Sequence, residues 1–169
     1  MQEFDLIVIG GGPGGYLCAE RAGKAGLRTA LIEKRALGGT CLNEGCIPTK
    51  SLCRNAEVLE DLRRAEEFGI GNASWTFDFA KAVECKNAVI DQLKGGVEFL
   101  LKNKLIRLVY GKADFKDAKT VIVKPADGGK AEEIKSDYII MATGPVSCFL
   151  YTFDAADEEE GVDMVGSLS

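Results

Sequence analysis

Gly10, Gly12 and Gly15 stand in the run Gly10-Gly11-Gly12-Pro13-Gly14-Gly15, directly behind the apolar stretch Phe4-Asp5-Leu6-Ile7-Val8-Ile9. A short apolar run closed by glycines reads as a buried parallel strand. About a dozen residues of helical pattern follow, with Leu17, Ala19, Ala22 and Ala25 available for packing, and Gly26 stops them. Arg28-Thr29-Ala30-Leu31-Ile32 is a second strand, ending at Glu33. Strand, glycine loop, helix and strand in this order leave few folds open. In the G-x-G-x-x-G spacing the first glycine permits the tight turn, the second lets backbone approach a pyrophosphate, and the third lets helix and strand pack closely. The helix N-terminus then offers N–H groups and partial positive charge to phosphates. Glu33 lies 18 residues past Gly15, where an acid reaches the ribose hydroxyls of an adenosine. A carboxylate there disfavours a 2′-phosphate, so the ligand expected is FAD or NAD rather than NADP.

Downstream, Cys41 and Cys46 sit in Gly38-Gly39-Thr40-Cys41-Leu42-Asn43-Glu44-Gly45-Cys46-Ile47-Pro48-Thr49-Lys50. Two cysteines at this spacing can close a small ring if the backbone curls into a helical turn, and Pro48 suits the start of the helix that follows. A disulfide beside a bound redox nucleotide is a two-electron acceptor next to a two-electron carrier. That pairing points to electron transfer between a dinucleotide and thiols. Cys18, Cys53 and Cys85 fall in helical patterns and are expected to be buried or half-buried thiols. With no C-x-x-C pair and no histidine, no metal site is expected.

The rest of the chain alternates. Residues 48–67 read as a helix with Leu52, Ala56, Leu59 and Leu62 on one side, ended by Gly69 and Gly71. Phe79, Val83, Ile90, Leu93, Val97 and Leu100 or Leu101 recur at helical spacing, with Asp78 or Thr76 as the cap. Residues 105–110 and 119–124 read as strands joined through Gly111 and a charged bend, Asp127-Gly128-Gly129 as a turn, and residues 137–142 as a buried strand leading to Thr143-Gly144. All 21 Lys and Arg lie within residues 1–135, and residues 136–169 carry seven acids and no basic residue. Nothing forms the basic stripe that nucleic-acid binding needs, and no apolar run approaches the roughly 20 residues of a membrane span. The N-terminus carries no basic segment, so no signal or transit peptide is expected.

Val8-Ile9-Gly10-Gly11-Gly12-Pro13-Gly14-Gly15-Tyr16, then Glu33-Lys34, then the thirteen-residue cysteine segment together resemble the pyridine nucleotide-disulfide oxidoreductase family. Gly39-Thr40-Cys41-Leu42-Asn43 with Gly45-Cys46-Ile47-Pro48-Thr49-Lys50 is most similar to its dihydrolipoamide dehydrogenase branch; glutathione and mercuric reductases usually carry valines where Leu42 and Ile47 stand. The resemblance runs from about residue 4 to Gly144. It implies an α/β fold: a Rossmann-like FAD-binding domain with a parallel central sheet, helices on both faces and a small antiparallel β meander. It implies FAD as resident cofactor and NAD as co-substrate. Cys41 and Cys46 would form the redox-active disulfide, Cys46 as the flavin-side thiolate and Cys41 as the thiol exchanging with a dithiol such as a lipoyl group. Lys50 matches the family lysine near the flavin. Pro13, Gly14, Lys34 and Thr40 belong to the matched cofactor-binding segments. Gly111-Lys112-Ala113 corresponds to backbone that touches the adenine, and Ala142-Thr143-Gly144 to the turn that closes over the FAD domain.

The chain also departs from the family, whose members are nearly three times longer, with an NAD domain, a returning Gly-Asp segment and a dimerisation domain that supplies a catalytic histidine. Pro145 follows the Ala-Thr-Gly turn at once, where the family places one residue first. Residues 1–146 are expected to be an incomplete FAD-binding domain, and residues 147–169 an acidic tail with a short strand or apolar extension over Phe149–Phe153. An N-terminal piece of a longer enzyme, a natural short chain whose other domains are separate, and a product non-native beyond about residue 146 all fit. Two functions follow: a flavin-disulfide oxidoreductase serving a 2-oxo-acid dehydrogenase or glycine cleavage complex, without turnover as an isolated chain, or a dinucleotide-binding module with no catalysis. The expected location is the cytoplasm, or the mitochondrial matrix after processing, and self-association through exposed apolar surface is expected.

Overall fold

The computed structural model describes residues 2–71 and 74–145. The acidic tail, Cys148 and the strand expected over Phe149–Phe153 lie outside the described residues.

The apolar run that leads into the glycine loop becomes one of the two inner strands of the parallel sheet. β1 (Gln2–Glu3), β2 (Leu6–Ile9), α1 (Pro13–Lys24) and β3 (Thr29–Glu33) form the opening unit. α2 (Gly39–Asn43), α3 (Cys46–Arg63) and α4 (Phe79–Leu100) follow, with a 3₁₀ turn over Ala65–Phe68. The chain continues through β4 (Ile106–Tyr110), β5 (Lys112–Phe115), β6 (Thr120–Lys124), β7 (Glu132–Lys135) and β8 (Ile139–Met141). One sheet has the order β4-β3-β2-β8, all parallel, and the other has the order β1-β7-β6-β5. In the second sheet β5, β6 and β7 form an antiparallel meander, and β1 joins β7 in parallel.

Strand alternation explains how the layers stack. Leu6, Val8 and Leu31 face one side and pack with Ala19 and Ala22 of α1 and with Val97 and Leu101 at the end of α4. Ile7, Ala30, Ile32 and Val109 face the other side and meet Val121, Val123 and Ile134 of the meander. The expectation of helices on both faces is corrected here: helices cover one face, and the meander's apolar side covers the other. Each layer needs a partner for its apolar face, and a sheet with Val121, Val123 and Ile134 on one side supplies it as well as a helix would. The meander also carries ion pairs: Lys116 with Glu133 at 2.6 Å and Lys124 with Asp114 at 3.0 Å. The Lys124 and Lys112 ammonium groups hold the Asp114 carboxyl below its ordinary range.

The strand expected over residues 4–9 is shorter, Leu6–Ile9, and a separate two-residue strand, Gln2–Glu3, precedes it. Gln2 and Glu3 pair with the meander, while Leu6–Ile9 pair within the parallel sheet. Asp5 lies between the two, where it accepts the Arg28 N–H at 2.8 Å and pairs with the Arg28 guanidinium at 2.9 Å.

α3 and α4 form a hairpin that stands away from the sheet except at the C-terminal end of α4. No residue of α3 is fully buried, and only Ala82, Ile90 and Val97 are buried along α4. Cys53 and Cys85 are therefore exposed, against the expectation of buried or half-buried thiols, while Cys18 is half-buried against the first core. Leu17 and Ala25 likewise point outward from α1 rather than packing. The Lys81 N–H donates to Asp78 Oδ1 at 3.1 Å, which makes Asp78 the cap of α4. Asp78→Ala is expected to lower stability by about 1 kcal/mol, read as a fall in the urea midpoint.

Candidate functional site

The expected cofactor-binding residues gather mainly at the carboxyl edge of the parallel sheet, where ligands of open α/β sheets bind. Gly10 leaves β2 with φ 109°, a conformation that favours glycine. Its N–H donates to the Ile32 carbonyl at 2.8 Å, and a Cβ there would overlap the Ala142 carbonyl oxygen. Gly15 lies so close to Gly10 that a Cβ would fall on the Gly10 carbonyl oxygen. These two glycines serve the protein's own packing. Gly12 does not: a Cβ at Gly12 would meet nothing nearer than Gly39 Cα at 3.7 Å. Bare backbone on the open side of the turn leaves the approach that a pyrophosphate requires. Gly12 is also the N-cap of α1, with Pro13 next and no side chain capping that end, so the first-turn N–H groups remain for an anion.

Glu33 is buried, and its carboxylate is held by two backbone donors: the Gly11 N–H at 2.6 Å on Oε2 and the Arg35 N–H at 2.8 Å on Oε1. Each oxygen keeps a lone pair for a ribose hydroxyl. Gly111 is buried beside it, donating its N–H to the Glu33 carbonyl at 2.8 Å. On the other side of the loop the Ala142 N–H donates to the Ile9 carbonyl at 2.8 Å, which holds Ala142 beneath the glycine turn, while Thr143 and Gly144 are exposed. Pro13, Gly14 and Lys34 are exposed at this edge. Lys112 lies farther along the meander and pairs with Asp114 at 3.2 Å, and Ala113 packs into the second core.

The cysteine segment is tied to the glycine loop. Gly38, at φ 98°, donates its N–H to the Gly11 carbonyl at 2.9 Å, and Gly39 sits against Gly12 and Pro13. α2 starts at that anchor and carries Thr40 and Cys41. Asn43 Nδ2 donates to the Leu37 carbonyl at 3.0 Å and the Gly39 carbonyl at 2.8 Å, closing the turn from beneath. Asn43 Oδ1 is buried without a hydrogen-bond partner among the described residues. Cys41 and Cys46 are joined as a disulfide, with Cα atoms 4.8 Å apart and both residues exposed. Cys46 opens α3, whose N-terminal N–H groups and dipole favour a thiolate there. Lys50 stands one turn along α3 and is exposed. Among the described residues no three His, Cys, Asp or Glu side chains are placed to hold a metal ion.

Three participants escaped the sequence reading as site residues. Gly11 supplies the donor to Glu33, and Gly38 docks α2; both carry the ordinary signal of glycine in a turn, which does not announce its partner. Tyr110 ends β4 directly beside Glu33, in register with it. Burial pushes the Tyr110 phenol above its ordinary range, and the Glu98 and Glu33 carboxylates add to that.

A parallel sheet with a bare glycine turn, a buried acid at the end of the next strand and an exposed disulfide anchored to that turn defines the plan of a dinucleotide-binding domain with a thiol–disulfide couple. The family model for pyridine nucleotide-disulphide oxidoreductases matches residues 4–165, and the chain belongs to that family. A dihydrolipoyl dehydrogenase of Haloferax volcanii is 44% identical over 155 residues, covering 91% of this chain and 32% of the relative. A dihydrolipoyl dehydrogenase of Acholeplasma laidlawii is 40% identical over 144 residues, covering 85% of this chain and 41% of the relative. The HOCl-induced flavoprotein disulfide reductase RclA of Escherichia coli, solved as its Cu(II) complex, superposes with a TM-score of 0.68 at 30% identity, covering 88% of this chain and 31% of that one. The chain thus spans roughly a third to two-fifths of the relatives it matches. The family's cofactors are FAD and a pyridine nucleotide, and the open face of Gly12, the first turn of α1 and the two Glu33 oxygens fit the adenosine and pyrophosphate of FAD.

Proposed function

We propose that this chain is the FAD-binding and thiol-exchanging portion of a dihydrolipoamide dehydrogenase, which oxidises dihydrolipoamide with NAD⁺ to lipoamide, NADH and a proton. One observation carries the proposal: α2, which bears Cys41, is pinned to the glycine loop through the Gly38 N–H and the Gly11 carbonyl, so the disulfide is fixed next to the nucleotide turn. A substrate thiolate attacks Cys41 Sγ, and Cys46 departs as the thiolate favoured at the head of α3. The second substrate thiol then displaces Cys41 as a thiol, closing the lipoyl ring and leaving two electrons on the cysteine pair. Bound FAD supplies the acceptor for those electrons. Lys50, one turn from Cys46, contributes positive charge that favours the thiolate, and Glu33, Gly12 and the first-turn N–H groups of α1 hold the nucleotide.

The chain contains no histidine to act as acid and base for the dithiol and a single glycine loop, so the isolated chain is expected to show no turnover with NAD⁺. The lipoyl group would arrive tethered to a 2-oxo-acid dehydrogenase or glycine cleavage complex. Exposed apolar side chains on the α3–α4 hairpin, among them Phe68, Ile70, Phe79 and Phe99, support self-association. The relatives named above come from archaea and bacteria, which favours the cytoplasm over a mitochondrial matrix.

The visible absorption spectrum of the purified chain tests the proposal. A yellow flavin band that gains a long-wavelength shoulder after one equivalent of dithiol is expected. A colourless protein that stays without flavin in excess FAD would reject flavin binding by this chain. Retention of FAD with no response to dithiol would leave a dinucleotide-binding module alone.

A further inference from the structure

We infer that Tyr110 is a wall of the adenosine pocket, its ring giving the purine an aromatic face beside the acid that holds the ribose; this rests on the FAD-binding reading above. β3 ends at Glu33 and β4 at Tyr110, and the two residues are register partners on adjacent parallel strands. Alternation places Tyr110 on the same side of the sheet as Ile106 and Leu108, which pack against the α1 core. Glu33 shares that side with Leu31 of the same core. The two side chains therefore stand next to each other at the carboxyl edge, one strand spacing of about 4.8 Å apart.

Their surroundings differ. Glu33 is 9% exposed and tied to two backbone donors, whereas Tyr110 is 48% exposed although Val109 before it and Gly111 after it are buried. A large ring left half-open between two buried neighbours, at the edge where the nucleotide lies, has a face to offer a planar ligand. Burial, with the Glu98 and Glu33 carboxylates adding to it, raises the Tyr110 phenol further above its ordinary range, and the ring is neutral as any tyrosine is near pH 7. The backbone of Gly111 and Lys112 follows at once, and Gly111 closes back onto β3 through the Glu33 carbonyl. Glu33 takes the ribose and Tyr110 the base, on neighbouring strands.

The test is titration of the 169-residue chain with FAD, followed by flavin fluorescence, and with ADP, followed by calorimetry. Tyr110→Ala is expected to weaken both ligands by about tenfold, the size of a lost base–aromatic stack, and Tyr110→Phe to bind like wild type. An equal loss for FAD and for ADP, which lacks the flavin, assigns the effect to the adenosine end. Should Tyr110→Ala lower the unfolding midpoint, Tyr110→Leu keeps apolar bulk without a π-face and is expected to weaken ADP several-fold. Wild-type affinity for ADP in Tyr110→Leu, or in a stably folded Tyr110→Ala, overturns the inference while leaving the flavin reading intact. Wild-type chain that binds ADP but not FAD defeats the flavin reading alone, and wild-type chain that binds neither defeats both.

Discussion

Gly15→Ala is expected to prevent stable folding of the domain, whereas Gly12→Ala folds normally and loses the nucleotide. At Gly15 the new Cβ would fall on the Gly10 carbonyl oxygen and lie 2.9 Å from the Gly10 carbonyl carbon. Both atoms belong to backbone that also closes the β2 turn, so no side chain can yield. Forcing α1 away from β2 would break the packing of Ala19 against Leu6 and Val8. Overpacking of this kind costs about 3 kcal/mol or more, a large part of the roughly 5–15 kcal/mol that keeps a domain folded. Gly14→Ala is the control. Its Cβ would meet only the Ala142 Cβ at 3.9 Å, and an alanine inside α1 gains helix propensity. Urea unfolding of the three variants reads the difference; a Gly15→Ala midpoint close to wild type would refute the close approach of α1 to the loop. Gly12→Ala, with nothing nearer than 3.7 Å, is expected to keep its midpoint and bind FAD at least tenfold more weakly, because the added methyl occupies the pyrophosphate's path.

Replacing Cys46 with serine is expected to abolish the reversible two-electron couple. In wild type, one equivalent of dihydrolipoamide should raise the count of protein thiols by two, read after the lipoyl compound is removed, as the Cys41–Cys46 bond opens and the lipoyl ring closes. The variant has no second sulfur to leave, so the count stays flat, and a complete enzyme carrying the same change loses thiol turnover by at least a thousandfold. Stability should change little by comparison. A ring spanning five residues restrains the unfolded chain by roughly 2 kcal/mol on the entropy model, and both cysteines are exposed outside the two cores. A gain of two protein thiols in Cys46→Ser would show that a disulfide other than Cys41–Cys46 performs the exchange.

The opening unit was legible because its signals are local. The apolar run before the loop, the G-x-G-x-x-G spacing, Glu33 at a strand end and the cap at Asp78 all stand where those patterns place them. The cysteine segment was legible as a ring, and the disulfide is present. Failures came where a partner far along the chain decides the outcome. Glu132-Glu133-Ile134-Lys135 shows one apolar residue in four and does not read as a strand. It forms β7 because Ile134 enters the second core while Glu132 and Glu133 find Arg107 and Lys116. The same distance effect hid the second face of the parallel sheet: the turn at Asp127-Gly128-Gly129 is visible, but which layer the hairpin will cover is not. Cys53 and Cys85 were misjudged because helical periodicity says which residues share a face and not whether anything packs on it. For α3 little does.

The inner position of β2 sets the order in which the domain assembles on the ribosome. Its partner on one side, β3, emerges about twenty residues later, but the other flank pairs Ile7 with Ile139 and waits for nearly the whole described chain. Until β8 arrives, β2 shows an open row of N–H and carbonyl groups beside apolar side chains, the geometry that recruits foreign strands. That flank closes only when a partner about 130 residues away arrives, a separation in sequence that the stability of the finished fold does not report.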